Sequence, residues 1–196
     1  MIDQVYSTSL TGAGFRFFEF KLVVNLIEKG LTDGEIRKKV LEENLFQEKA
    51  SSTKRSLPYI LNRARVLDNQ LRQYILNEPT QMAKQVNFYA IMKTDLLFYE
   101  FMDEVIKSKV QDNDLIYERK DINIFFKEKS EANEQIADWS ESTLKRLKSS
   151  YNRLLLEMGY LIELISIDLI PLQVDDMLRD HLVRIGDKKY VEAMEG

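Results

Sequence analysis

The chain has 196 residues, 44% of them apolar and 31% charged, with a formal net charge of −4 and a pI near 5.3. Cysteine is absent, which excludes a disulfide framework, a thiolate metal site and a cysteine nucleophile; the acidic balance excludes a protein that coats nucleic acid with its whole surface. Seven glycines and three prolines among many Leu, Glu, Lys and Ile predict a mostly α, compact protein, as one domain or two small ones.

The start, MIDQVYSTSLTGAG, is polar and lacks the apolar region of a secretory signal. Its TGAG (11–14) has no following G-K-[ST] and no preceding strand, so it reads as a flexible lead-in and not as a phosphate loop. Residues 15–29, FRFFEFKLVVNLIEK, form a predicted first helix closed by Gly30. Thr32 stands three residues before Glu35, a capping-box pattern that opens a helix over 33–43 with Ile36, Val40 and Leu41 inward. Leu45 and Phe46 pack in the turn that follows.

A basic segment comes next. At 100° per residue, Leu57, Ile60, Leu61, Ala64, Leu67 and Leu71 gather within about a third of the circle, as in an amphipathic helix. Pro58 leaves two readings open: a helix that starts there, with Lys54 and Arg55 in a loop, or one that bends there. Asn77-Glu-Pro79-Thr80 is the clearest boundary signal, predicting modules over 1–80 and 81–196. A long apolar helix is predicted over about 81–109, closed by QDND (111–114). Ile116 to Phe126 fits either a short strand or another helix, and EANEQIADW (131–139) a short helix with Ile136 and Trp139 inward.

In the second basic segment, Leu144, Leu147, Tyr151, Leu154, Leu155 and Met158 share one face. Lys145, Arg146, Ser149, Asn152 and Arg153 occupy the opposite arc, and Lys148 flanks the stripe. Gly159 ends this helix. IELISIDLIPL (162–172) alternates at Ile165, Ser166, Ile167, Asp168 and Leu169 as a strand does, and VDDMLRDHLVRI (174–185) reads as a last helix. Two stretches, 87–102 and 154–172, are apolar enough to suggest a membrane. Each carries internal charges, and a central acid costs ~3 kcal/mol in a spanning helix against roughly 0.5 gained per Leu or Ile. Both are therefore read as buried core.

The basic charge is concentrated. Residues 49–72 and 143–156 together hold ten basic residues and one acid, +9, leaving −13 for the rest. At a constant offset of ninety, Ser52, Thr53, Leu57, Asn62 and Arg63 fall on Ser142, Thr143, Leu147, Asn152 and Arg153. In each case a short helix, a polar turn with Ser and Thr, and a longer helix with a basic outer side follow one another: 33–43 into 52–71, and 131–139 into 142–158. That is a helix-turn-helix order, and the strand-like run after the second copy stands where a winged helix has its wing. Hydroxyls such as that of Thr143 at a helix start cap N–H groups or reach phosphate beside them. Outward Lys54, Arg55, Arg63 and Arg65, with Lys145, Arg146, Lys148 and Arg153, neutralise phosphates; Asn152 and Ser149 add hydrogen-bonding reach. An exposed helix commonly carries Lys and Arg, and a Ser-Thr pair is an ordinary cap. The lack of Glu and Asp on the outer arc separates these helices from a solvated face of mixed sign.

Other candidates carry less. His181 is the only histidine and reads as a surface or half-buried residue, not a metal ligand or member of a triad. The aromatics of FRFFEF and NFYAIMKTDLLFYEF follow helical spacing and belong to the core. Glu42-Glu43 and Asp175-Asp176 read as solvated or capping pairs. No enzyme, metal site or cofactor is expected.

The stretch YSTSLTGAGFRFFEFKLVVNLIEKGLTDGEIRKKVLEENLFQEKASSTKRSLPYILNRAR resembles the N-terminal half of the BrxA family, a small component of BREX (bacteriophage exclusion) defence systems. ADWSESTLKRLKSSYNRLLLEMGYL is similar to that family's second helical module. The resemblance implies a largely helical cytoplasmic protein, without enzymatic activity, that binds double-stranded DNA and serves phage restriction with other BREX proteins. It implies no small-molecule substrate. Family members are often labelled as inner-membrane proteins, which the hydropathy here opposes. The chain departs from the family's more basic pattern through Pro58 and its acidic balance. The competing expectation is an adaptor whose basic helices dock acidic surfaces of other subunits.

Overall fold

The computed structural model describes residues 5–165 and 167–196, which fall into two compact units: residues 12–94, and residues 95–196 together with the N-terminal segment ending at Thr11.

In the first unit, α1 (Phe17–Glu28) buries Phe17, Phe20, Val23, Val24 and Leu26 and is closed by Gly30 at φ 83°. The capping box forms as the sequence predicts: the Glu35 N–H donates to Thr32 Oγ1 at 3.4 Å and the Thr32 N–H to Glu35 Oε2 at 2.8 Å, opening α2 (Asp33–Glu42). Both bonds satisfy helix-end donors that otherwise have no partner. Then α3 (Ala50–Arg65) runs without a break through Pro58 and buries Leu57, Ile60, Leu61 and Ala64. Of the two readings of Pro58, a helix that starts there is excluded: two turns precede the proline, so Lys54 and Arg55 are helical. Next, α4 (Asn69–Asn77) is capped by Asp68, whose carboxylate accepts from the Leu71 N–H at 2.9 Å. Finally α5 (Thr80–Thr94) is buried from Met82 to Met92 on nearly every side. A helix buried on most sides belongs at the centre of its unit, and both α3 and α4 pack on it. Its interior Asn87 donates Nδ2 to the Phe15 carbonyl at 2.7 Å. The boundary expected at Pro79 is only a tight break between two helices that pack together; the units divide after Thr94.

The second unit opens where the sequence predicts an uninterrupted helix. Asp95 leaves helical geometry (φ −132°, ψ 98°) and its carboxylate accepts from the Phe98 N–H at 3.1 Å, so a new helix, α6 (Leu96–Phe101), starts there. A π-helical turn, Met102–Lys107, and α7 (Ser108–Gln111) continue it. After α8 (Arg119–Ala132) and the single turn α9 (Glu134–Ala137) comes α10 (Glu141–Met158), then α11 (Asp176–Arg184) and α12 (Lys188–Glu195). The core is aromatic: the Tyr151 ring of α10 lies 4.9 Å from Phe98, 5.2 Å from Phe101 and 5.4 Å from Phe126, centroid to centroid. Such pairs add about 1 kcal/mol each beyond the area they bury. The N-terminal segment is tied across these helices. Ser9 Oγ donates to Asp95 at 2.8 Å, Tyr6 Oη to Glu100 at 3.0 Å, Ser150 Oγ to the Leu10 carbonyl at 3.0 Å, and Gln135 Nε2 to the Tyr6 carbonyl at 2.8 Å.

No strand forms among the described residues. The run 162–172 was expected to be one, and Ser166 within it lies outside the described residues; what forms is an isolated antiparallel bridge between Ile116 and Asp168. The Tyr117 N–H donates to the Ile167 carbonyl at 2.7 Å and the Leu169 N–H to the Leu115 carbonyl at 2.9 Å. A regular strand here would need one face buried, but Ile162, Leu164, Ile165 and Ile167 are all exposed. Among the described residues, no helix is long and apolar enough to cross a membrane.

Candidate nucleic-acid interface

The second basic segment becomes one regular helix. Ser140 Oγ accepts from the Thr143 N–H at 3.2 Å and lies 3.0 Å from both the Ser142 and Thr143 hydroxyls, so three hydroxyls cluster at the start of α10. Leu147, Tyr151, Leu154, Leu155 and Met158 are buried, and Gly159 ends the helix at φ 89°. The apolar stripe thus fixes which residues face out. Lys145, Arg146, Ser149 and Arg153 are exposed, and none of the three cations has a carboxylate partner among the described residues.

Lys148 and Asn152 have other duties. Lys148 Nζ donates to Asn123 Oδ1 on α8 at 2.8 Å and sits 5.5 Å from the Phe126 ring centroid. Burial, and then the nearby Arg119, hold its pKa below the usual lysine value. Asn152 Oδ1 accepts from Tyr117 Oη at 2.7 Å. These two residues fasten α10 to α8 and to the bridged segment, setting the angle at which the bare cations are presented. Tyr117 and Asn123 were not singled out from sequence, because their partners lie 35 and 25 residues away.

Beside α10 lies an open groove of about 960 Å³, walled by Leu144, Lys145, Lys148, Leu164, Ile165 and Ile167. The Ile170 N–H donates to the Tyr160 carbonyl at 2.9 Å, closing the base of the 162–170 run.

The first basic segment does not repeat this pattern. Lys54 and Arg55 are exposed, and Arg65 pairs with Asp33 of α2. Arg63, expected on the outer side, is 2% exposed: its guanidinium donates to the Gly14 carbonyl at 2.7 Å and to the Ala13 carbonyl. Burying a guanidinium is tolerable only when its donors are satisfied, and two backbone carbonyls serve here. The TGAG lead-in is consequently held in place by α3. Beside it, Arg16 adopts a left-handed backbone (φ 45°) and its guanidinium binds Glu19 and Glu48, each at 2.7 Å. Glu48 also accepts from Thr53 Oγ1 at 3.2 Å. The Ser-Thr start of the first copy is thereby turned inward, whereas that of the second is exposed at Ser142. His181 is buried, not superficial. Among the described residues, no group of His, Asp and Glu side chains has a metal-holding arrangement.

The BrxA family profile matches residues 4–186. A BREX protein BrxA of Bacillus cereus (strain H3081.97) is 34% identical over 205 residues, covering 99% of this chain and 98% of that protein. A BREX protein BrxA of Paramagnetospirillum magneticum (strain ATCC 700264 / AMB-1) is 23% identical over 192 residues, covering 97% and 96%. An uncharacterized protein from Magnetospirillum magneticum, solved by crystallography, superimposes with a TM-score of 0.87 at 21% identity, covering 97% of this chain and 98% of that one; this likeness concerns the fold alone.

Proposed function

Because the chain belongs to the BrxA family of the BREX phage-defence system, we propose that it is a cytoplasmic, non-enzymatic accessory protein that grips double-stranded DNA with α10. α9 and α10 serve as the helix-turn-helix, and the 162–170 run, without Lys or Arg, takes no part in the grip. One observation carries this reading. Lys145, Arg146 and Arg153 stand on one exposed arc and none of them forms an ion pair among the described residues, although the chain as a whole is acidic. Like charges held close together repel one another, and a polyanion relieves that repulsion. Phosphates fit the arc; the hydroxyl cluster at the helix start adds short-range donors. Lys54 and Arg55 supply a separate contact set on the first unit, and Arg63 and Arg65 contribute none, being committed to Ala13, Gly14 and Asp33.

The test is a titration of duplex DNA with the purified protein alone. The double variant Lys145→Glu, Arg146→Glu changes only exposed residues, so its melting temperature stays within about a degree of the parent. Its duplex affinity is expected to drop by at least tenfold. Undiminished affinity would remove α10 from the interface. If the parent itself fails to bind duplex at low salt, the adaptor reading, with other BREX proteins as acidic partners, takes its place.

A further inference from the structure

We infer that Leu164, Ile165 and Ile167, with the adjoining face of α10, form a docking groove for an amphipathic helix of a protein partner, apolar along its inserted face and acidic along the edge next to α10. This inference does not rest on the duplex reading.

The first support is the density of exposed aliphatic residues here, greater than in any other stretch of the described chain. Five large aliphatic residues within nine positions are uncovered: Ile162 (73% exposed), Leu164 (48%), Ile165 (83%), Ile167 (52%) and Ile170 (42%). Together they present on the order of 500 Å², the size of the largest apolar patches on monomers, which are often functional. The second support is shape. The groove of about 960 Å³ has Leu144 on one wall and Leu164, Ile165 and Ile167 on the other. That is room for several large aliphatic side chains, the payload of a helix that inserts anchors at i, i+3 or i+4, and i+7.

Charge then selects the occupant. Arg119, Lys145 and Lys148 line the groove against Glu141 alone. Lys148 is already discouraged from carrying its charge by burial and by Arg119, so an incoming carboxylate gains from both lysines at once. Nucleic acid fits the run poorly: residues 160–174 contain no Lys or Arg, while Glu163 and Asp168 are exposed and acidic. A phosphate backbone gains nothing from isoleucine and is repelled by these carboxylates. The same two acids oppose an anionic lipid surface. A protein helix satisfies both the aliphatic walls and the cationic edge.

The decisive experiment places a photo-crosslinking residue at Ile165 of the full chain, in cells carrying the complete defence system, with nuclease digestion before analysis. The expected product is a crosslink to another protein, mapping to a helical segment with an aliphatic face and an acidic edge. Adding Lys145→Glu is expected to cut its yield at least fivefold. A product with nucleic acid, with lipid, with a second copy of this chain or with a basic segment overturns the inference, as does the absence of any product from folded protein. The duplex titration is read separately: the uncharged Ile165→Ser is expected to leave duplex affinity within twofold, so failure of the docking site and failure of the duplex reading leave different traces.

Discussion

Two arginines related by the ninety-residue offset show how far side-chain identity can be read from sequence. Arg153 faces out on α10, as its place opposite the apolar stripe requires, whereas Arg63 points inward. The helical pattern around Arg63 is just as amphipathic. What turns it is a pair of carbonyls at Ala13 and Gly14, 50 and 49 residues away, and no local pattern reports a partner at that distance. Arg63→Ala is therefore expected to lower unfolding free energy by about 2–3 kcal/mol, because it strands two buried carbonyls, without moving duplex affinity; urea denaturation and the duplex titration check the two halves. Tyr151 makes the opposite case. Its ring is central to the core, yet its buried hydroxyl has no hydrogen-bond partner among the described residues. Tyr151→Phe keeps the ring and is expected to gain about 1 kcal/mol in the same assay. Buried tyrosines also set an alkaline limit. Burial raises the pKa of Tyr117, Tyr151 and Tyr160, and pushes Tyr190 up to about 12. The unfolded chain releases these protons near pH 10, so the stability that their protonated forms provide is whole below about pH 10. It is lost as pH rises through the folded values. Thermal melts at pH 8 and pH 11 are expected to differ in that direction, and equal melting temperatures would refute it.

At the scale of elements, the sequence signals that came true were periodic or capping signals. Thr32-x-x-Glu35 forms the capping box, and the stripe of α10 is buried as spaced except at Leu144, which is half-buried on the groove wall. Two elements were misjudged because an element's end depends on its surroundings. The predicted 81–109 helix carries charges at several positions, and periodicity alone gives no reason to break it at Asp95 in preference to Lys93 or Glu100. The break is made by a buried carboxylate that caps Phe98 and receives the Ser9 hydroxyl from a segment 86 residues earlier. Asp95→Ala removes both partners and is expected to cost about 2 kcal/mol; increased hydrogen exchange over residues 5–11 and 96–101, with α3 unaffected, is the matching signature. The 162–170 run alternates correctly for a strand but has no second layer to bury against, so it forms a bridge and leaves its isoleucines bare. α12 was not anticipated, since KKYVEAME is short and follows directly on Gly186-Asp187. It is stabilised by packing on the π turn of residues 102–107.

For the whole molecule, the informative quantity is where the charge is left unpaired, not the net charge of −4. The sequence showed two basic segments. Folding distinguishes them: in α3 the cations are partly consumed by Ala13, Gly14 and Asp33, while in α10 three stay bare. The mostly helical class and the family were legible from composition and resemblance. The inequality of the two copies was not, since it arises from contacts made only on folding. The measurement that tests the account most directly is the salt dependence of duplex binding by the intact protein. With roughly four phosphates neutralised, affinity is expected to fall by about a hundredfold between 50 and 200 mM salt, and the Lys145→Glu, Arg146→Glu variant to lose about half of the logarithmic slope. A slope near zero, or one that the variant leaves unchanged, would contradict the claim that the bare cations of α10 hold the duplex.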